Sequence, residues 1–296
     1  MSRFHIHPAV WFLAPALALI GVFFVLPVLA SLLLGFTDFD IYALGDMSTL
    51  RFVGLDHYRH IVSDPLFRTA LTNTLYFVAV GGPLSVLVSL SVALLVNHRL
   101  VRWKGVFRSL LFLPVVTTLV AVAVVWRYLY HPRYGVLNAL LGGLGLPPVD
   151  WLGDPHWAMP AIILMAVWKN FGFNMVVFVA GLQSIPERLY EAARIDGASD
   201  WNQFRYITLP LLGPTFLFVT VITLIGDFQL FAEPYIMTQG GPGDSTLSVA
   251  LLMFQEGFRW WNLGYAAAVA FVLFLVILAG TLLLGRLRRG GLSRDG

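Results

Sequence analysis

The chain has 296 residues, 58% of them hydrophobic and only 12% charged, with a net charge of +3 and a mean hydropathy of +0.79. A water-soluble domain keeps roughly a quarter of its residues charged, so most of this chain is built to face lipid. Basic residues sit at the ends of apolar runs and form no stripe with interleaved aromatics, which excludes a nucleic-acid partner; the lack of cysteine excludes disulfides, thiolate nucleophiles and cysteine metal sites.

A helix needs about 20 apolar residues to cross the hydrocarbon core. Six segments meet that length, at 10–36, 70–96, 106–129, 158–182, 214–237 and 265–287. Backbone amides in lipid need partners within their own segment, so the spans are helices and the chain is an all-α membrane protein. The first run is longer than a signal-peptide core of roughly 7–15 residues, so it reads as a retained span. Lysine and arginine set the orientation. With the N-terminus cytoplasmic, twelve fall inside and five outside, with Arg127 and Lys169 left within spans. Both termini are therefore expected in the cytoplasm, and the whole chain is expected to form one domain.

Between spans one and two, "FVGLDHYRHIVSDPLF" mixes apolar and charged residues at helical spacing and predicts a short helix on the outer surface. Span three ends with Arg127, expected to reach outward to the headgroups. Trp126, Trp157, Trp260 and Trp261 are expected in the interfacial belt.

A charge inside a span costs at least about 2.5–3.5 kcal/mol on insertion scales, so each calls for a partner or an aqueous path. Span four carries "VWKNFGFNM" with Lys169, Asn170 and Asn174; span five carries "LIGDFQLFAEPYIMT" with Asp227, Gln229 and Glu233. Asn170 and Asn174 share one helical face, as would Gln229 and Glu233. Planar hydrogen-bonding groups beside aromatic rings suit sugars. The candidate substrate path is therefore Asn170, Asn174, Asp227 and Gln229, with Trp168 and Phe231 as stacking faces. Two blander readings stand beside it: Lys169 and Asp227 pair as a structural bridge, and Glu233 lies near the outer end in water.

Between spans four and five lies the polar stretch 183–212. Ser184 and Glu187 are spaced as a capping box, Pro186 suits a first turn, and Gly197 suits the left-handed residue past a helix end. Leu189, Ala192, Ala193 and Asp196 share one face. A second helix is expected over "SDWNQFRYITLP", capped by Ser199 or Asp200, with Pro210 turning the chain into span five. Two alanines bury little area but admit close approach by another surface.

"EAARIDGAS" followed by "ITLPLL" resembles the cytoplasmic loop of permease subunits from binding-protein-dependent ABC importers. "FVGLDHY", "GLQSIPERLYEAARIDGA", "MTQGGPGDST" and "NLGYAAA" are similar to the carbohydrate branch, of the maltose or glycerol-phosphate type. The resemblance implies the six-span fold of type I importers, in a bacterial inner membrane. It implies a coupling loop in which Glu191 anchors a separate ATPase, Ala192 and Ala193 permit close packing, and Gly197 sets the turn, with Asp196, Leu209 and Pro210 completing the motif. The implied partners are a second homologous permease, two ATPase subunits that bind ATP and Mg, and an extracytoplasmic solute-binding protein; the implied cargo is a sugar. No cofactor is expected in this chain.

No G-x-x-x-x-G-K-[ST] run exists, and "GGPGDST" lacks a lysine, so it reads as a tight turn and the motor is expected on another chain. There is no H-E-x-x-H or G-x-S-x-G, so neither a metalloprotease nor a hydrolase is supported, and the histidines do not cluster into a metal site. An ion-coupled secondary transporter is the alternative from a different class. It would show matching halves or interrupted helices in corresponding positions, and no internal repeat is visible.

Overall fold

The computed structural model describes residues 8–43, 45–46, 48 and 50–292. Arg3, His5, His7 and Arg294, which entered the charge and histidine readings, lie outside them, as do the side chains of Arg288 and Arg289. The chain divides into two compact units, one of residues up to Asp64 with Leu252–Leu275, the other of Pro65–Leu251 with the segment from Val276.

In the first unit, α1 (Pro8–Ile20) continues through a π-helical turn, Gly21–Val25, into α2 (Leu26–Leu34). The wide turn falls where Pro27 lacks an amide, and Leu26 N–H reaches back to Gly21 O. The turn and α2 bury no residue, as expected of a helix solvated by lipid. The short helix expected between spans one and two is present as α3 (Asp56–Ser63), with Ile61 buried. Two of the quoted motifs meet here at close range. A Cβ at Gly264 would lie 2.1 Å from Thr37 O, and one at Gly35 would lie 3.1 Å from Tyr58 Oη and 3.2 Å from Ala268 N. Tyr265 Oη donates to Asp64 Oδ2 at 2.9 Å. "FVGLDHY" and "NLGYAAA" are thus packing motifs for one another.

The second unit is organised around α8 (Pro155–Gln183), which packs along α4 (Pro65–Asn97) and α5 (Lys104–Val116). Glycines on α8 set the spacing. A Cβ at Gly172 would meet Leu111 O at 2.5 Å, and one at Gly181 would meet Thr215 Oγ1 at 2.5 Å.

Among the described residues four helices are long and apolar enough to cross a membrane, and up to six spans result if each bent pair counts as one. The expected third span is one of those pairs. α5 and α6 (Leu119–Leu129) meet at 93°. The 13 residues of α5 rise only about 20 Å, short of a hydrocarbon core of about 30 Å. Pro114 stands in the last turn of α5, and Thr117 and Thr118 are extended. The carbonyls freed by the break find donors in side chains: Thr117 Oγ1 bonds Pro114 O at 2.6 Å, and Lys169 Nζ bonds Val115 O at 3.0 Å.

The fifth span also departs from a single helix. It runs as α12 (Gly213–Phe228), breaks over Gln229–Phe231, and resumes as α13 (Ala232–Met237). At the break, Ser248 Oγ donates to Leu230 O at 2.5 Å. The segments between spans add α7 (Val136–Gly143) and α14 (Val249–Phe254), the latter missed by the hydropathy reading because it is short. Before α14, Asn73 Nδ2 donates to Asp244 O and Leu247 O, and Val249 N–H donates to Thr74 Oγ1. The "GGPGDST" turn is tight as expected, with Gly240 and Gly243 at positive φ. α15 (Leu263–Leu292) is the last span.

Candidate functional site

Two regions of the second unit carry the candidate site residues: a polar cavity within the helices and the loop 183–212.

The cavity has a volume of about 540 Å³, within the range of roughly 300–1,000 Å³ typical of small-molecule sites. Its walls come from α4, the bend after α5, α8 and the broken fifth span. Asn170, Asn174, Asp227, Gln229 and Phe231 all line it, so five of the six proposed path residues are brought together. The common face of Asn170 and Asn174 is real, whereas Gln229 and Glu233 reach the same cavity from opposite sides of a helix break. Asn174 Nδ2 donates to Thr223 Oγ1 at 3.0 Å and ties α8 to α12.

Trp168 is the exception. It does not line the cavity but packs on Trp126, with ring centroids 5.5 Å apart. Two helical steps separate it from Asn170, about 200° around the axis, so the two face opposite sides. The aromatic wall on α8 is instead Phe173, one turn after Asn170. Helical spacing applied to "NFGF" could have found it.

The bridge between Lys169 and Asp227 is absent. Lys169 Nζ donates to the Val115 carbonyl, while Asp227 Oδ2 is buried without a hydrogen-bond partner. The ammonium finds a nearer acceptor in the end of α5, a group that hydropathy could not reveal because it exists only where the helix breaks. Asp227 Oδ2 lies 2.9 Å from where a Cβ of Gly82 would be. Glu233 is not a solvated end residue either; the break turns it into the cavity lining. Ser85 Oγ, buried and unpartnered, also belongs to that lining and was missed. Arg127 does not simply extend outward: its Nη1 lies 3.4 Å from Ile236 O and donates to it. Of the belt tryptophans, Trp126 packs on Tyr130, and Trp157 meets Trp151 edge-on.

The loop is built locally. α9 (Glu187–Ile195) ends in paired bonds, from Ala198 N–H to Ala193 O at 2.8 Å and from Gly197 N–H to Arg194 O at 3.1 Å. Gly197 stands at φ +77°, the left-handed position that such a cap requires. The capping box does not form. Pro186 precedes α9 as its cap residue with no side-chain bond, and Ser184 Oγ turns back to Gly181 O at 2.7 Å. Ser184 closes α8 because the peptide before Pro186 is held out of helical geometry. The second cap is as expected: Ser199 Oγ accepts from Asn202 N–H at 3.3 Å and opens α10 (Asp200–Gln203). That helix widens into a π turn, Phe204–Thr208, then α11 (Leu209–Leu211), and meets α12 at 65°.

Gln203 Nε2 donates to Ala198 O, and Tyr190 Oη and Thr208 Oγ1 lie 2.9 Å apart, closing the loop into one hairpin. Tyr190 and Ile207 pack on the core formed by Val96, Phe178, Leu182 and Ile185. Glu191, Ala192, Asp196 and Gly197 are exposed, Ala193 and Leu209 half-buried, and Pro210 exposed. Ile195 is 87% and Trp201 68% exposed, the Trp201 ring lying beside Phe204.

Residues 85–290 match the model of the binding-protein-dependent transport system inner membrane component family. The chain belongs to that family. The lactose transport system permease protein LacF of Rhizobium radiobacter is 38% identical over 271 residues, covering 90% of this chain and 89% of the relative. The trehalose/maltose transport system permease protein MalF of Thermococcus litoralis is 36% identical over 281 residues, covering 93% and 92%. The arabinooligosaccharides permease AraP of Bacillus subtilis is 35% identical over 274 residues, covering 92% and 85%. In fold, the permease matches a chain of a bacterial ABC transporter that imports the acidic polysaccharide alginate, with a TM-score of 0.79 at 24% identity over 95% of this chain and 96% of that one. The fold is that of an ABC importer permease. Among the described residues no cluster could hold a metal ion.

Proposed function

We propose that this permease forms, with a second homologous permease, the membrane path of a sugar importer driven by two separate ATPase subunits. The supporting observation is the cavity: Asn170, Asn174, Asp227 and Gln229 converge on it from two spans, beside Phe173 and Phe231. Amide and carboxylate groups that can exchange hydrogen bonds with hydroxyls, next to flat apolar rings, are what a sugar needs. The relatives that transport lactose, trehalose or maltose, and arabinooligosaccharides support the same cargo.

The loop 183–212 is the coupling element in this reading. Glu191 and Asp196 present polar anchors, Ala192 and Ala193 admit close packing, and Gly197 holds the turn, while Leu209 and Pro210 lead the motion into α12. Both termini and this loop face the cytoplasm of a bacterial inner membrane, in keeping with the lysine and arginine bias. A solute-binding protein delivers sugar from the outer side; a solved relative of the same fold is described in complex with such a protein, loaded with an alginate pentasaccharide. ATP and Mg belong to the ATPase subunits, and this chain contributes no catalysis.

The test is reconstitution into proteoliposomes with the second permease, the ATPases and the binding protein. Uptake of a sugar should require ATP on the loop side and the loaded binding protein on the other. Uptake driven by an ion gradient without ATP, or by this chain alone, would overturn the reading.

A further inference from the structure

The segment joining α6 to α8 turns an apolar surface away from the protein. From Gly135 to Val149 the one side chain with a polar group is Asn138, and its amide is buried and committed. Nδ2 donates to Pro132 O at 3.0 Å and to Val149 O at 2.8 Å; Oδ1 accepts from Val149 N–H at 3.2 Å and from Trp151 Nε1 at 2.9 Å. On the opposite side of α7, Val136, Leu140 and Leu144 are 54%, 62% and 76% exposed, and their spacing of four keeps them in one stripe. The backbone closes on itself as well. Past the last turn, Leu146 N–H donates to Leu141 O at 2.9 Å and Gly145 N–H to Gly142 O at 3.0 Å, with Gly145 at φ +74°. Backbone groups with internal partners are what lipid demands. α3, also a short helix between spans, is built for water instead, with Asp56 and Arg59 exposed.

We propose that α7 lies in the membrane surface, its Val136–Leu140–Leu144 stripe against lipid hydrocarbon near headgroup level, and so fixes the depth of the α6 and α8 ends. Aromatic rings set that level. Trp126 meets Tyr130 at 5.3 Å, Tyr130 meets Trp151 at 5.6 Å, and Trp151 meets Trp157 at 5.5 Å, across the end of α6 and the start of α8. Such rings collect at the membrane–water boundary, and Trp151 holds α7 to them through Asn138. The flanking spans expose Val124, Tyr128 and Trp157, so the stripe extends a surface that already faces lipid. Exposed apolar patches of this kind mark a membrane or protein contact. A delivery protein that comes and goes would leave the stripe in water between visits, whereas lipid covers it throughout.

The chain has no cysteine, so Leu140→Cys gives a single site for a nitrobenzoxadiazole label. The complete importer, with partner subunits free of reactive cysteine, is reconstituted into phosphatidylcholine vesicles. Phosphatidylcholine brominated along its acyl chains should quench the label several-fold more strongly than aqueous iodide does. Leu144→Cys, a second exposed position, gives the same reading should the first variant fail to assemble. Quenching mainly by iodide would place the stripe in water. Quenching by neither would mean that a protein surface covers it. Either result overturns the lipid contact, and neither bears on the sugar path, since the contact does not depend on the cargo.

Discussion

The loop 183–212 and the cavity lie in the same compact unit, yet they are made in opposite ways. The loop's shape comes from neighbours in sequence: bonds spanning three to five residues close α9, and one glycine at φ +77° sets the turn. The cavity's walls come from α4, α8 and the broken fifth span, far apart in the chain, and its lining includes the breaks after α5 and between α12 and α13. If the loop docks on another protein as proposed, a self-sufficient shape serves it. If the cavity is the proposed path, a few side-chain bonds to freed carbonyls, which can be exchanged, suit a change of access.

The sharpest way to break this contrast is at Gly197. A β-branched residue strongly resists its backbone conformation, at a cost of roughly 1–2 kcal/mol. Gly197→Val should therefore reduce uptake to background while the protein still reaches the membrane, and Gly197→Asn should retain more activity. Normal uptake by the valine variant would show that the turn does not carry the coupling. A smaller effect, on assembly, is expected for Gly172→Leu. The α5 backbone already stands where a Cβ would go, at 2.5 Å, and overpacking of this kind costs typically about 1–3 kcal/mol. A lowered thermal transition of the purified assembly measures it.

Lys169 sharpens the comparison from the cavity side. Lys169→Ala leaves Val115 O without its donor, a loss of about 1–3 kcal/mol. Because no ion pair joins Lys169 to Asp227, Asp227→Ala is expected not to restore the stability that Lys169→Ala removes. Rescue of one substitution by the other in thermal unfolding would restore the bridge that this structure lacks. The smallest effects test the loop's caps. Ser199→Ala removes a formed cap and should cost about 0.5–2 kcal/mol, whereas Ser184→Ala, which caps nothing in α9, should cost α9 nothing measurable. Equal losses would mean that the capping box forms after all.

How far the sequence could be read follows the same division. Gly197 and Ser199 were legible because their signals act within one turn of chain. The Ser184 cap was misread because a competing rule, the restriction on the residue before Pro186, acts at the same place. Phe173 is legible from helical spacing, one turn after Asn170, whereas Trp168 lies about 200° around the helix from Asn170. Asn170 and Asn174 could be paired by spacing, but Ser85 could not, since nothing in α4 announces which of its serines turns inward.

The amino-acid order by itself determined that the chain lives in lipid, that it is helical, and that one polar hairpin interrupts it. Those follow from hydropathy, backbone hydrogen bonding and short-range punctuation, all of which are local. Only the tertiary structure decided that the third and fifth spans break, that Lys169 serves a backbone carbonyl instead of Asp227, and that Glu233 faces the cavity. A freed carbonyl and its side-chain donor come from distant parts of the chain, and neither has meaning until packing brings them within 3 Å.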